Sequence, residues 1–163
     1  MNETLPKRKK LRLEYYDYRQ HGAYFVTICT RGKQHLLGEI SKQRNPSSAH
    51  DCVCLSRIGR VTEFEINKLS SIYDRVKIDK YVIMPNHLHL IIIINNVENG
   101  QTVFAPTLSR IIKQFKGSIT KQIGYPLWQR SFYDHVIRSE QDYRAKWKYI
   151  DENPWHWQED EYY

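Results

Sequence analysis

Two histidines separated by one apolar residue, His87 and His89, have the spacing in this chain that is best suited to chemistry. They lie in the segment MPNHLHLIIII, residues 84–94, whose β-branched run favours a strand. Side chains alternate across a strand, so both imidazoles should point to the same face. Two neutral imidazoles can bind a divalent metal and leave positions open for a substrate oxygen. A structural pair, hydrogen-bonded inside a strand that is apolar on both faces, fits the same motif, so metal binding and a structural role both stay open.

A tyrosine on the last predicted helix is the second candidate. Residues 139–153 begin with Ser139 as a helix cap and end before Pro154, and they include two tyrosines. Helical spacing predicts a buried stripe of Tyr143, Trp147 and Ile150, and a separate polar face of Lys146, Tyr149 and Asn153. Tyr143 is therefore expected in the core, and Tyr149 is the tyrosine that remains available for chemistry.

The reaction that would use these groups together is attack on a phosphodiester. A phenol is a weak acid, with a pKa of about 10, so the phosphorus must be made more electrophilic. A divalent metal on His87 and His89 would do this, and the amide oxygen of Asn153 would be a third ligand. Capture of the DNA as a phosphotyrosine keeps the energy of the broken bond for rejoining. Tyrosines on exposed helix faces are also common without any catalytic role, so Tyr149 has a structural interpretation as well.

The elements that must position these groups are strands and helices. Predicted strands cover residues 23–30, 76–84, 87–94 and 131–137, and predicted helices cover 57–73, 106–124 and 139–153. A short strand at 36–40 is expected to form a hairpin with the first strand, and Pro85-Asn86 makes a tight turn between two neighbouring strands. This order indicates an α+β fold, with a ferredoxin-like or RRM-like antiparallel sheet and helices packed on it.

The charge of the chain indicates a polyanionic partner. The net charge is +7 and 13% of the residues are aromatic, which suits phosphates and stacked bases but also describes a basic enzyme with an aromatic core. Residues 1–19 are interpreted as a basic N-terminal arm and residues 20–163 as one domain. A solvated tail is the other interpretation of the arm, and the helix lysines have a similar one. The candidate DNA contacts are Lys7, Arg8, Lys9, Lys10, Arg12 and Arg19 in the arm, Arg31 after the first strand, and Lys113 and Lys116 on the second helix.

The sequence also carries predictions about location. It has no apolar run of 18 residues and no apolar signal core near its start. Its three cysteines, Cys29, Cys52 and Cys54, fit neither a disulfide framework nor a paired zinc motif, and Cys52 and Cys54 are expected to be packed thiols. We therefore expect a protein of the reducing cytoplasm without membrane contact.

Four segments together resemble the REP-associated tyrosine transposases, which are single-tyrosine HUH enzymes related to the single-strand insertion-sequence transposases. The segments are AYFVTICTRG at 23–32, VIMPNHLHLI at 82–91, WQRSFYDHVIR at 128–138 and DYRAKWKYIDENP at 142–154. The resemblance implies an HUH endonuclease fold and a Mg²⁺ or Mn²⁺ site formed by His87, His89 and Asn153. It also implies that Tyr149 cuts single-stranded DNA and forms a 5′-phosphotyrosine. The implied substrate is hairpin DNA of the repetitive extragenic palindrome type, with the basic arm in contact with it.

Other functions use the same parts. A ferredoxin-like sheet with exposed aromatic residues can bind single-stranded nucleic acid without chemistry, and the histidines would then be structural. An HUH replication initiator or relaxase would use the same catalytic groups, usually joined to further chain such as a helicase. A metallohydrolase would use water in place of the tyrosine and form no covalent intermediate. The resemblance also leaves the assembly open between a monomer and a homodimer whose subunits exchange the tyrosine helix.

Overall fold

The structure, a computed structural model, describes residues 21–41, 52–95 and 106–159. In chain order its elements are β1 (Gly22–Cys29), β2 (Gly38–Ile40), β3 (Val53–Leu55), α1 (Arg57–Ile72), β4 (Val76–Ile83), β5 (His87–Ile94), α2 (Leu108–Ile123), β6 (Tyr133–Ile137) and α3 (Glu140–Glu152). A 3₁₀ turn, Arg31–Lys33, follows β1, and a 3₁₀ segment, Asn153–Glu159, follows α3.

The centre of the fold is a four-stranded antiparallel sheet with the strand order β4-β5-β1-β6. The two central strands, β1 and β5, are apolar on both faces over much of their length, as strands covered on both sides must be. The predicted α+β class and ferredoxin-like sheet are confirmed. The predicted antiparallel pairing of β4 with β5 through the Pro85-Asn86 turn is also confirmed.

The sheet is covered on both faces by helices. On one face, a core of sheet residues such as Tyr24, Val26, Leu88 and Leu90 packs against α1 and α2. On the other face, a smaller cluster packs against α3 and the 3₁₀ segment, through side chains that include Phe25, Val82, Ile91, Ile150 and Trp157. We term this second side the histidine face, because the side chains of His87 and His89 alternate onto it.

Each helix begins at a side-chain cap. Ser56, Thr107 and Ser139 each accept a hydrogen bond from the backbone N–H three residues further on. Gly124 ends α2 with a φ of 84°, a left-handed conformation that glycine adopts without strain. The three observed helices therefore lie at the predicted positions, and their ends differ from the predicted ones by one or two residues.

The predicted hairpin between β1 and the strand near residues 36–40 is wrong. β2 pairs with β3 in a separate two-stranded sheet. Both edges of β1 are occupied, one by β5 and the other by β6, so no edge remains for β2.

A β-bulge interrupts β4. The pairing with β5 shifts between Ile78 and Lys80, which leaves Asp79 as an extra residue. Val76 and Ile78 before the bulge, and Ile83 after it, all pack on the α1 and α2 side. The bulge therefore lets two consecutive polar residues, Asp79 and Lys80, both reach the helix on the histidine face.

These two residues fix α3 to the sheet. The Tyr143 hydroxyl donates a hydrogen bond to the Asp79 carboxylate. The Lys80 ammonium bonds to a carboxylate oxygen of Asp151 at 2.7 Å. Since the two contacts are eight residues apart on α3, they hold both halves of the helix against its own sheet.

The predicted buried stripe on α3 is only partly right. Ile150 is fully buried, and Tyr143 is half-buried and hydrogen-bonded. Trp147, in contrast, is 38% exposed. Its ring lies beneath the Lys80 ammonium, which is 3.6 Å from the ring centroid, so this tryptophan packs under a cation rather than in the core.

The predictions about the cysteines and about membrane-spanning segments can be compared with the structure. Cys29 and Cys52 are buried, but Cys54 is exposed on β3, so the prediction of a packed thiol is wrong for Cys54. Alternation along the short strand turns its side chain away from the core. Among the helices within the described ranges, none is both long and apolar enough to cross a membrane.

Candidate active site

The two histidines open β5 directly after the Pro85-Asn86 turn, and both are fully buried. Their β1 partners in the sheet are Cys29 and Thr27. Their Nε2 atoms face each other at 3.0 Å. The strand thus brings two imidazole nitrogens together in a site that excludes solvent.

The Asn86 side chain determines the tautomer of His87. Its Nδ2 donates to the carbonyl oxygen of Lys33 at 3.3 Å, which leaves Oδ1 as the atom that contacts His87 Nδ1 at 2.7 Å. An amide oxygen can only accept, so Nδ1 carries the imidazole hydrogen. In the neutral ring, Nε2 of His87 then carries the lone pair and faces His89.

The Thr27 hydroxyl contacts His89 in the same supporting manner, with 2.8 Å between Oγ1 and Nδ1. A hydroxyl can donate or accept, so the contact with Thr27 alone allows either tautomer of His89. A hydrogen bond between the two Nε2 atoms needs the His89 hydrogen on Nε2, whereas a metal bound to both Nε2 atoms needs it on Nδ1. Burial, followed by the neighbouring His87 and Lys146, holds the pKa of His89 well below its ordinary value. The ring is therefore neutral at physiological pH, which is the state that binds a cation.

The geometry of the pair fits a divalent metal. Two adjacent ligands of an octahedral ion at ~2.1 Å lie about 3.0 Å apart, and the Nε2 atoms are separated by 3.0 Å. Within residues 21–41, 52–95 and 106–159, no group of three or more His, Cys, Asp or Glu side chains could hold an ion. In these ranges a third protein ligand would therefore come from outside that set, for example from an amide, a hydroxyl or a backbone carbonyl oxygen.

Tyr149 lies against this pair. Its ring meets the His89 ring edge-on, with 5.1 Å between centroids, and meets the Phe25 ring at 5.8 Å. Phe25 in turn stacks on His89 at 5.2 Å. Tyr149 is 38% exposed, so a side chain that touches the buried histidine also reaches solvent, from which a substrate would arrive.

Asn153 lies where α3 passes into the 3₁₀ segment, and its side chain is buried. Tyr149, four residues before it, contacts His89, and Trp157, four residues after it, stacks over His87 at 5.9 Å. Asn153 is therefore midway along the stretch of chain that covers the two histidines. The role of its amide as a metal ligand stays a prediction.

The predicted DNA contacts lie in different places. Arg31 is exposed in the 3₁₀ turn after β1, and Lys113 is exposed on α2, which covers the opposite face of the sheet from the histidines. Lys116, also on α2, donates to the backbone carbonyls of residues 129–131, and burial lowers its pKa. Neither helix lysine lies on the histidine face. The predicted arm contacts, which fall outside the described residues, are Lys7, Arg8, Lys9, Lys10, Arg12 and Arg19.

Sequence reasoning missed the residues that support the site. Asn86 was interpreted only as a turn residue, although its position next to His87 was a usable signal. Thr27 and Phe25 meet His89 through the pairing of β1 with β5, which no local motif reveals. Lys146 was placed on the correct helix face, and its ammonium lies 5.0 Å from the centroid of the Phe25 ring.

Comparison with solved structures identifies the class of fold. The chain is similar to the REP-associated tyrosine transposase bound to a REP hairpin, with a TM-score of 0.59 and 24% identity over 88% of this chain and 73% of that one. A Deinococcus radiodurans R1 protein proposed as a transposase is less similar, with a TM-score of 0.47 and 14% identity. The likeness to the hairpin-bound transposase shows that the chain has the fold of the HUH transposases.

Comparison of sequences identifies the family. No protein-family model matches the chain. A protein of Haemophilus influenzae strain Rd that is described as uncharacterized is 32% identical over 181 aligned positions, which cover 99% of this chain and 96% of the relative. The chain belongs to the same family as this Haemophilus protein, whose description assigns no function.

Proposed function

We propose that this protein is a metal-dependent single-stranded DNA endonuclease and strand transferase of the transposase type, with Tyr149 as its nucleophile. One observation carries the proposal. The Tyr149 ring packs 5.1 Å from the ring of His89, whose Nε2 faces that of His87 at 3.0 Å. A phenol, two adjacent imidazoles and a path to solvent thus meet at one point.

The residues that would hold the metal are His87, His89 and Asn153, and the proposed ion is Mg²⁺ or Mn²⁺. When bound, the ion would supply positive charge that makes a phosphate more electrophilic. The protein contributes the arrangement around it. Asn86 and Thr27 orient the two imidazoles, and such supporting contacts keep ligands in the geometry that binds metal.

In the proposed reaction the Tyr149 hydroxyl oxygen attacks the phosphorus of a DNA phosphodiester. A bond forms between that oxygen and phosphorus, and the bond between phosphorus and the 3′ oxygen breaks. The phenolic proton is lost to solvent, and the departing 3′ oxygen takes up a proton to become a free 3′-OH. The 5′ phosphate stays on Tyr149, and attack by another 3′-OH reverses these changes and joins a new strand.

The proposed substrate is single-stranded DNA that forms hairpins. Two facts support it: the solved transposase of the same fold is bound to a REP hairpin, and this chain has a net charge of +7. The proposed assembly is a monomer whose tyrosine helix acts on its own sheet. It is supported by the contacts of Asp79 and Lys80 with α3 within one chain.

The test is a denaturing-gel assay for covalent protein–DNA adducts with labelled hairpin DNA, in Mn²⁺ and in EDTA. Wild type is expected to form an adduct only with metal, and Tyr149→Phe is expected to form none. Tyr143→Phe is the matched control on the same helix. The hydrogen bond to Asp79 raises the pKa of Tyr143 to about 12, so this phenol is unsuited to attack. The variant loses that hydrogen bond but keeps the contact of Lys80 with Asp151, so α3 stays on the sheet and adduct formation should be retained.

The other functions give different results in the same assay. Adducts that persist in Tyr149→Phe would refute the nucleophile. Metal-dependent cleavage without any adduct would indicate a hydrolase that uses water. Binding that is unaffected by EDTA, with neither cleavage nor adduct, would indicate a nucleic-acid-binding module with structural histidines.

A further inference from the structure

Among the described residues, α3 and the 3₁₀ segment cover the histidine pair, while side chains on the edge strand β6 stay partly exposed. α3 is fixed to β4 by the contacts of Asp79 and Lys80. On the edge strand β6, Asp134 and Val136 point into the core, while Tyr133 and His135 alternate onto the histidine face and are accessible. An accessible strip of sheet therefore runs beside the candidate site.

Tyr133 is in register with the histidine pair. It lies opposite Thr27 of β1, and Thr27 lies opposite His89 of β5, so the three side chains form one row across the sheet. Neighbouring strands are about 4.8 Å apart, which places Tyr133 roughly 10 Å from His89 along this row. Its ring is 42% exposed. This span is about the distance from a scissile phosphate to the base of an adjoining nucleotide.

A cation borders the same strip. Lys146 is half-buried on α3, and its ammonium lies over the ring of Phe25, which is a cross-strand neighbour of His135. Among the described residues no carboxylate forms an ion pair with Lys146. The two other basic residues on this helix differ, since Arg144 pairs with Glu140 at 2.9 Å and Lys148 pairs with Glu152 at 3.6 Å.

Asp142 is the carboxylate beside this strip, and it lies close enough to Lys146 for the two charges to interact. Asp142 accepts the N–H of His135 at 2.8 Å and 3.0 Å, and its backbone N–H bonds to the Ser139 cap. An exposed ring beside a cation is the combination that binds single-stranded nucleic acid, because the ring stacks on a base and the cation attracts a phosphate.

We propose that Tyr133 and Lys146 form a subsite for one nucleotide that flanks the scissile phosphate of single-stranded DNA. The base stacks on the Tyr133 ring, and the Lys146 ammonium binds a backbone phosphate between that base and Tyr149. This subsite rests on the proposed function for its position relative to cleavage. Its contribution to DNA binding can be measured without cleavage.

The first experiment measures binding by fluorescence anisotropy in EDTA. The probe is a labelled hairpin oligonucleotide with a mixed-sequence single-stranded extension of about ten nucleotides. Tyr133→Ala should weaken binding roughly tenfold, because base stacking on an aromatic ring is worth about 1–3 kcal/mol, whereas Tyr133→Phe keeps the ring and should bind like wild type. Tyr125→Ala is the matched control: Tyr125 is 43% exposed and lines a cavity on the α1 and α2 side. Equal binding by Tyr133→Ala and Tyr125→Ala would overturn the stacking role.

The second experiment measures the salt dependence of the same binding. Loss of one phosphate contact to a single strand lowers the slope of log K against log salt by about 0.7. Lys146→Met is expected to show this change, and Lys148→Met, which removes an equal charge from the same helix, is expected to keep the wild-type slope. Equal slopes for the two variants would overturn the phosphate role of Lys146.

The two proposals can fail separately. If wild type forms metal-dependent adducts but the substitutions at Tyr133 and Lys146 leave DNA binding unchanged, the nuclease proposal is supported and the subsite proposal is refuted. If DNA binding depends on both residues but no adduct forms with any hairpin tested, the two residues form a surface that binds single strands, and the proposed cleavage function is refuted.

Discussion

The hydroxyl of Thr27 gives the sharpest test of how the site is supported. Thr27 is buried, and its Oγ1 lies 2.8 Å from Nδ1 of the fully buried His89. Thr27→Val keeps the shape of the side chain and removes only the hydrogen-bonding group, so no cavity is created. The imidazole nitrogen is then left in the core without this partner.

The expected cost follows from that burial. An unsatisfied polar group in a protein interior costs about 1–3 kcal/mol. In a domain of this size each kcal/mol lowers the melting temperature by roughly 2–4 °C, so a central value of ~2 kcal/mol corresponds to about 4–8 °C. Metal affinity should also fall, by roughly 10- to 100-fold, as it does when other contacts that orient a ligand are removed.

The matched control is Thr62→Val on α1. Thr62 is also fully buried, but its hydroxyl donates to the backbone carbonyl of Ile58, which keeps its helical N–H partner when the hydroxyl is removed. Thermal unfolding and a calorimetric Mn²⁺ titration would compare both variants with wild type. Equal losses of stability, together with unchanged Mn²⁺ affinity in Thr27→Val, would refute the view that this hydroxyl supports His89.

Three further predictions concern other contacts. Asn86→Ala removes the acceptor for the Nδ1–H of His87 and should lower Mn²⁺ affinity roughly 10- to 100-fold in the same titration, and an unchanged affinity would contradict the assigned tautomer. For Asp142, burial raises the pKa, but hydrogen bonds to the carboxylate outweigh it and hold the pKa below its ordinary 3.8. Its stabilising contribution is therefore present above that pH and is lost as the pH falls through the lower folded-state value, so Asp142→Asn should lose less stability than wild type as the pH is lowered below 3.8 in urea unfolding. Gly59→Ala should destabilise the protein although alanine favours helices, because its Cβ would lie 2.0 Å from the carbonyl oxygen of Leu37; wild-type urea stability would show that this carbonyl can move away.

Much of the fold follows from patterns that are local in the sequence. The apolar stripe and the Gly124 stop define α2, and Pro85-Asn86 joins two β-branched runs into neighbouring strands. The same alternation that defines β5 also puts His87 and His89 on one face. These features could be predicted because each depends on residues within one or two turns of chain.

The rest depends on contacts between distant residues. Helical spacing showed that Trp147 shares a face with Tyr143, but it could not show that Lys80 would cover that ring. Likewise the contact of Thr27 with His89 joins residues 62 positions apart in the chain, and it exists because of the register between two strands. The sequence was enough to identify the candidate chemical groups. The residues that orient them could be identified only from the three-dimensional structure.

The extra residue in β4 exchanges the two faces of the strand on which odd- and even-numbered side chains lie. Before Asp79 the side chains that face α1 and α2 are at even-numbered positions, Val76 and Ile78. After it they are at odd-numbered positions, Tyr81 and Ile83. Deletion of Asp79 alone would restore regular alternation, and it would turn one half of the strand inside out, because a shift of one residue exchanges the two faces. In this chain the length of β4 at this point can therefore change only by an even number of residues, unless α3 changes its attachment to the sheet as well.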